Sequence, residues 1–480
     1  MTITLADVYL GLGGKLLHPS LASVSISNFV IDSRQATPGS CFVALVGEHT
    51  DGHRFVRDAI ERGAIAVIAE RWDAAPDGIR ALALHPARDP SPAVVDQPVV
   101  FLVESSLVGL QRVAGRWRAR HQPKVIGITG SVGKTSTKEL VAAVLRQRYP
   151  TLWSAGNLNN EIGLPLTLLR LEASHRFAVL EMGFYVEGEI AQLCELARPS
   201  IGVVTNIGPI HLERAGSMEA IFRGKSELVR ALPASGCAIL NWDDERVRQM
   251  AEFSPAPVFR YGLTPEADLW ADQIESEGLE GIRFRFRRRP QGGKEESLYV
   301  HLPLLGRHAV HTALRAAAVG LVCGLGWEDI IRGLRDVSAQ LRIEVTPGWN
   351  GSTLIDDTYN ASPPSTLAAL NLLADLGGRR VAVLGDMLEL GSEAESGHRL
   401  VGARAAAVVH TLVTVGPLST WIEQEALASG LPAARVHHVA TAAEALSLVR
   451  SLVQAGDHVL IKGSRAMGME ELAAGLSVKA

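Results

Sequence analysis

Cysteine is scarce in this sequence: Cys41, Cys194, Cys237 and Cys323 are the only four in 480 residues, and no two form a C-x-x-C pair. That excludes a disulfide framework and a cysteine zinc site, and predicts buried free thiols in a reducing compartment. An excess of one charge sign is also lacking. Lys and Arg number 47 against 51 Asp and Glu, a formal net charge of −4, so nothing in the balance favours nucleic acid or an anionic membrane surface as a partner. The one basic burst, "FRFRRRP" at 284–290, alternates like a strand and reads as the solvated face of a hairpin. Long apolar runs are missing too. The best candidate, "AVHTALRAAAVGLVCGLGW", carries His311 and Arg315 and reads as a buried helix rather than a membrane span. The opening residues lack the basic region and apolar stretch of a signal peptide. A cytoplasmic protein with no membrane insertion is predicted.

What is present is an ordinary globular composition, 47% hydrophobic and 20% charged. The length exceeds one compact core, so roughly two to four domains are expected. A proline- and aspartate-rich stretch at 73–98 reads as an insertion at the edge of a first domain. From about residue 124 the pattern changes. "KVIGITG" is an apolar strand running into glycines, "KTSTKELVAAVLRQRY" has helical periodicity, and "RFAVLEMG", "SIGVVTNIG" and "GCAILNWDD" are strands apolar on both faces. Such strands between helices predict a covered parallel sheet with ligands at its carboxyl edge. From about Arg342, five further strands ("STLIDDTYN", "RRVAVLGDM", "TLVTVG", "RVHHVA", "DHVLIKGSR") alternate with helices. They predict a second doubly wound unit, without the G-x-G-x-x-G of a dinucleotide site.

The segment "GITGSVGKTSTKE" (127–139) reads as a phosphate loop with its first glycine out of register. The common G-x-x-x-x-G-K-S/T pattern wants glycine at 128, where Ile128 stands. The physical parts survive: a strand before, a helix after, glycines that let backbone N–H groups approach phosphate, Lys134 for the outer phosphates and Thr135 for Mg²⁺. No N-K-x-D string marks a GTPase. Glu181, at a neighbouring strand end, is placed to hold a metal directly or through water. His211 follows a second strand tip, and Lys225 by itself reads as a helix-surface lysine.

The loop "TGSVGKTS" (129–136) resembles that of the Mur ligases. "DSRQATPGSCFVALVGEHTDGHRF", "GNLNNEIGLPLTLL", "EMG", "NIGPIHLE", "LIDDTYNASP", "VLGDMLELGSE" and "VLIKGSRAMGME" are similar to family strings, in order, across nearly the whole chain. The resemblance implies an α/β protein of three domains. These are a small mixed α/β N-terminal domain that binds a UDP-sugar (1–104), a central P-loop parallel-sheet ATPase domain (105–338) and a C-terminal Rossmann-like domain (339–480). It implies ATP-dependent addition of D-alanyl-D-alanine to UDP-N-acetylmuramoyl-tripeptide through an acyl phosphate, with ATP and two Mg²⁺ ions, by a monomer. Another Mur-type amide ligase with a different amino substrate, or a non-catalytic module that keeps the fold, are the competing readings.

The same resemblance assigns residues. Thr129, Gly130, Ser131, Val132, Gly133, Lys134, Thr135 and Ser136 hold the nucleotide, with Asn241, Arg342 and Asp357. Thr135, Glu181, His211 and Lys225 serve metals, Lys225 as a carbamate. Lys134, His211 and Lys225 form the catalytic set. Ser33, Arg34, Thr50, Asp51, Asn159, Asn160, Tyr359 and Asn360 fall on the substrate side. The chain departs from the family at "GRHAVHTAL", where Ala309 and Thr312 replace two asparagines, and at Ser362, where asparagine is usual. The first asparagine is expected on the adenine side, leaving Asn241 or backbone groups to take that contact.

Overall fold

The structure, a computed structural model, describes residues 2–14, 19–47, 50–71, 80–83, 98–290, 292–336 and 343–478. Arg342 and most of the 73–98 stretch lie outside them. Three sheets organise the chain. The first holds β1 (Phe29–Val30), β2 (Cys41–Val43), β3 (Ala66–Ala69), β4 (Arg80–Ala83) and β5 (Val99–Leu102), all parallel, in the order β1-β2-β3-β5-β4.

The central sheet has nine strands: β6 (Lys124–Thr129), β7 (Thr151–Trp153), β8 (Phe177–Glu181), β9 (Ile201–Val204), β10 (Cys237–Asn241), β11 (Val258–Gly262), β12 (Leu269–Ser276), β13 (Ile282–Arg288) and β14 (Glu296–Leu302). Their order is β14-β13-β12-β11-β10-β9-β6-β8-β7. Strands β6, β8, β9 and β10 are buried on both faces, as continuous apolar runs require. Parallel pairing runs from β7 to β12, and the edge turns antiparallel at β13 and β14. The basic burst lies on β13, where Arg285 and Arg287 pair with Asp272 and Arg288 with Glu296, so its charges are neutralised on a hairpin face.

The third sheet holds β15 (Glu344–Gly348), β16 (Ser352–Asp356), β17 (Arg380–Gly385), β18 (Thr411–Val415), β19 (Val436–Val439) and β20 (His458–Lys462), ordered β15-β16-β20-β17-β18-β19. Five were expected from the sequence; the sixth, β15, pairs antiparallel at the edge. Its "EVTPG" is largely exposed and carries proline, so it lacks the apolar signal of a covered strand.

Helix Ser106–Arg120 joins the first sheet to the second. Its Leu110, Val113, Ala114 and Trp117 belong to one continuous core with Val43, Ile68 and Phe101 on one side and Leu168, Leu180 and Leu228 on the other. The third sheet has its own cores on its two faces. The candidate membrane segment forms helix Ala309–Val322, buried from Thr312 to Gly320. Among the described residues no helix is long and apolar enough to cross a membrane. All four cysteines are free, Cys41 and Cys194 buried and the other two half-buried.

Candidate active site

The loop between β6 and helix Lys134–Arg146 is shaped by two glycines and one asparagine. Gly130 has φ 138°, and a Cβ there would lie 1.9 Å from Thr205 Oγ1, so only glycine fits. Gly133 caps the helix in the left-handed conformation at φ 83°. Asn206, at the tip of β9, pins the turn: its Oδ1 accepts from Val132 N–H at 2.8 Å and its Nδ2 donates to Val132 O at 3.1 Å. Ser131 Oγ donates to Gly208 O and accepts from Gly208 N–H. The helix N-terminus is thereby left open to an anion.

Two lysines meet at one carbonyl. Lys134 Nζ donates to Gly130 O at 2.9 Å and to Ser131 O at 3.2 Å, and Lys225 Nζ donates to Gly130 O at 3.2 Å. Lys225 is 2% exposed and lies 4.7 Å from the centre of the Phe184 ring. Burial, with Lys134 adding to it, holds its amine well below the ordinary lysine range. Sequence alone read this residue as helix surface; the opposite is observed. On the other side, Thr135 Oγ1 donates to Glu181 Oε2 at 2.9 Å and Asn159 Nδ2 to Glu181 Oε1 at 2.9 Å. A hydroxyl and a carboxylate so placed are hard oxygen donors suited to Mg²⁺, which binds few protein ligands and completes its shell with water and phosphate. Among the described residues no cluster of three His, Cys, Asp or Glu side chains is placed to hold a metal.

The structure does not gather the whole expected metal set. Lys225 and His211 make no hydrogen bond to Glu181. Instead His211, at φ 55°, pairs through Nδ1 with Glu389 of the third-sheet region and packs edge-on against Tyr185. Burial lowers the basicity of His211, while the Glu389 carboxylate acts in the opposite sense. This pair ties the central and C-terminal parts together beside a cavity of about 1110 Å³.

Both parts line that cavity. The central part supplies Ser131 to Lys134, Ser136, Asn159, Glu181, His211 and Asn241, and the C-terminal part supplies Asp357, Tyr359 and Asn360. Asn241 uses its amide internally, donating to Thr205 O and accepting from Asp243 N–H. Other expected residues stay out. Thr129 is buried and donates to Met182 O. Asn160 Oδ1 accepts from Gly163 N–H at the start of the next helix. Ser33, Arg34, Thr50 and Asp51 lie by the first sheet, with Arg34 paired to Asp32, and Asp51 to His53 and Arg71.

Several residues lining the cavity carry no site role in the sequence reading: His308, His311, Arg315, Glu389 and Lys462. Lys462, at the end of β20, donates to Asp357 Oδ2 at 2.6 Å and to Asn360 O at 2.8 Å. A polar residue closing an apolar strand was the available signal. Lys462 is 2% exposed, so Lys462→Met strands a buried carboxylate. The variant is expected to lose about 3–5 kcal/mol of stability, read as a lower urea midpoint; an unchanged midpoint would refute the pair's structural weight.

Comparison with known proteins follows the same division. The Mur ligase middle domain matches residues 128–320, the Mur ligase glutamate ligase domain 341–465, and the Mur ligase family catalytic domain 25–102. The UDP-N-acetylmuramoyl-tripeptide–D-alanyl-D-alanine ligase of Bacillus subtilis is 35% identical over 96% of this chain and 95% of its own. The crystal structure of MurF from Acinetobacter baumannii superposes with a TM-score of 0.83 at 31% identity, covering 99% of this chain and 98% of that one. MurF from Thermotoga maritima, solved in complex with ADP, gives 0.76 at 27% identity, covering 93% and 96%. With its loop, its three sheets and these matches spanning nearly every described element, the chain belongs to the Mur ligase family.

Proposed function

We propose that this chain joins D-alanyl-D-alanine to UDP-N-acetylmuramoyl-tripeptide at the expense of ATP, a step of peptidoglycan synthesis. The observation that carries the reading is the shared cavity. A phosphate loop from the central sheet and Asp357, Tyr359 and Asn360 from the C-terminal one face a single space. The tripeptide carboxylate oxygen attacks the γ-phosphorus of ATP; the β–γ bridge breaks and ADP departs. The dipeptide amine then attacks the acyl carbon, a tetrahedral centre forms, and inorganic phosphate leaves with the amine proton passing to solvent. A carboxylate is a poor electrophile, and phosphorylation supplies the leaving group.

Each chain group has a defined task in this scheme. Backbone N–H groups of 131–136 and the Lys134 ammonium hold the transferring phosphates in line. Thr135 and Glu181 would hold Mg²⁺, with Asn159 fixing the second Glu181 oxygen; an ion held there would supply neutralisation of phosphate charge. Lys225 supports a carbamate: its depressed basicity favours the neutral amine, whose nitrogen adds to CO₂ with loss of a proton. His211 supports the second metal position once its link to Glu389 is exchanged. Arg342, which lies outside the described residues, is assigned to ATP by the family resemblance alone, and Ser33, Arg34, Thr50 and Asp51 take the UDP end. We divide the chain at 104 and 338, a reading that the separate first, central and third sheets support. ATP and a nucleotide-linked precursor as substrates support action in the cytoplasm, and one copy that carries every named residue supports a monomer.

Phosphate release from ATP is the test. With UDP-N-acetylmuramoyl-tripeptide present, steady release is expected only when D-alanyl-D-alanine is added. Release indifferent to the dipeptide would sink the amino-substrate assignment and favour a Mur-type ligase of different specificity.

A further inference from the structure

One charged side chain on the cavity wall is left without a charge partner. Arg315 lies on helix Ala309–Val322, is 4% exposed, and lines the cavity. His308, His311, Thr312 and Arg315 follow helical spacing, so they share one face, and all four line the same space. Arg315 Nη2 donates to Thr312 Oγ1 at 2.8 Å, and Thr312 is one of the two positions where the family's asparagine is absent. The same Nη2 stands 3.1 Å from the place a Cβ on Gly133 would occupy. The guanidinium therefore sits against the last glycine of the loop, where helix Lys134–Arg146 begins. Its Nε is buried with no hydrogen-bond partner.

Among the described residues no carboxylate forms an ion pair with Arg315. Two other buried cations are paired with carboxylates: Lys462 with Asp357 and Lys138 with Glu139. A desolvated guanidinium without an anion opposes folding, and its neutral neighbours, the Thr312 hydroxyl and the Tyr261 ring centred 6.0 Å away, supply no opposite charge. Placed against the glycine that opens helix Lys134–Arg146, it makes sense when the anion arrives with the ligand. We infer that Arg315 is a ligand of the nucleotide polyphosphate, gripping phosphate oxygen from the side of helix Ala309–Val322 while the loop's N–H groups grip it from below. A planar fork of donors suits phosphate oxygens, and Thr312 sets its orientation. The inference rests on the reading of the cavity as an ATP site.

Calorimetric titration of the full chain with ADP and, separately, with adenosine tests it, comparing wild type with Arg315→Met and Arg315→Lys. Methionine keeps the volume and removes the charge, and lysine keeps the charge without the fork. Arg315→Met is expected to weaken ADP about 10–100-fold and to leave adenosine within roughly twofold, with Arg315→Lys between. Because an uncompensated buried charge is removed, the melting temperature of ligand-free Arg315→Met should hold or rise. Equal ADP affinity in wild type and Arg315→Met would overturn the inference alone. So would parallel losses for ADP and adenosine with a lower melting temperature, which is what a structural arginine predicts. Wild type binding no ADP would overturn the nucleotide reading and this inference with it.

Discussion

Lys134→Met should lower turnover by about a thousandfold or more while the chain stays folded. The ammonium stands at Gly130 O and Ser131 O, inside the loop that would receive phosphate. In the ligand-free chain its contacts include these two carbonyls, which water can replace, so the stability change should be small beside the loss of turnover. In the transition state it faces charge spread over the transferring phosphoryl group, where no water substitutes for it. The signature is a fall in kcat with ADP affinity reduced and the thermal midpoint preserved. Turnover within tenfold of wild type would show that the loop does not serve phosphoryl transfer.

Lys225→Ala should also be severely impaired, by about 10²–10³, and short carboxylates such as formate or acetate should restore part of the loss. The buried amine next to Lys134 is a poor place for a second positive charge, and a good one for an amine that has become a carbamate anion. As an anion it would lie beside the Lys134 ammonium, turning a like-charge contact into a favourable one. A purely structural lysine gives a different pattern: lowered stability, unchanged turnover per folded molecule, and no response to carboxylates. Full wild-type turnover in the alanine variant would rule the carbamate role out.

Much of this was readable from sequence because the signals are local. The strand, glycine turn and helix around Lys134 need only near neighbours, and continuous apolar strands announced the central sheet and most of the third. What escaped depends on distant partners. Lys225 lies 95 residues along the chain from the carbonyl it meets, so its helix periodicity could not reveal burial. Glu389 reaches His211 across 178 residues. Arg315 was noticed only as a charge that argued against a membrane helix, since nothing in "AVHTALRAAAVG" shows which face meets the loop. The exposed edge strand β15 was missed because edge strands carry little apolar pattern. Ser33, Arg34, Thr50 and Asp51 were named as substrate residues through resemblance, and the pairing of Arg34 with Asp32 and of Asp51 with His53 and Arg71 is a feature of the folded chain alone.

The distribution of the cores has a calorimetric consequence. The first and central sheets share one continuous apolar interior through helix Ser106–Arg120, while the third sheet has its own. Heating the ligand-free chain should therefore give two endotherms, one for the N-terminal and central parts together and one for the C-terminal part, so a single two-state enthalpy has no meaning here. A nucleotide analogue that touches both sides of the cavity binds only while both are folded. At a hundred times its dissociation constant it adds about 2.7 kcal/mol, and that increment belongs to neither unit alone. The two heat-absorption peaks should move up and merge as analogue is added, so that the ligand acts as the missing stretch of shared interior.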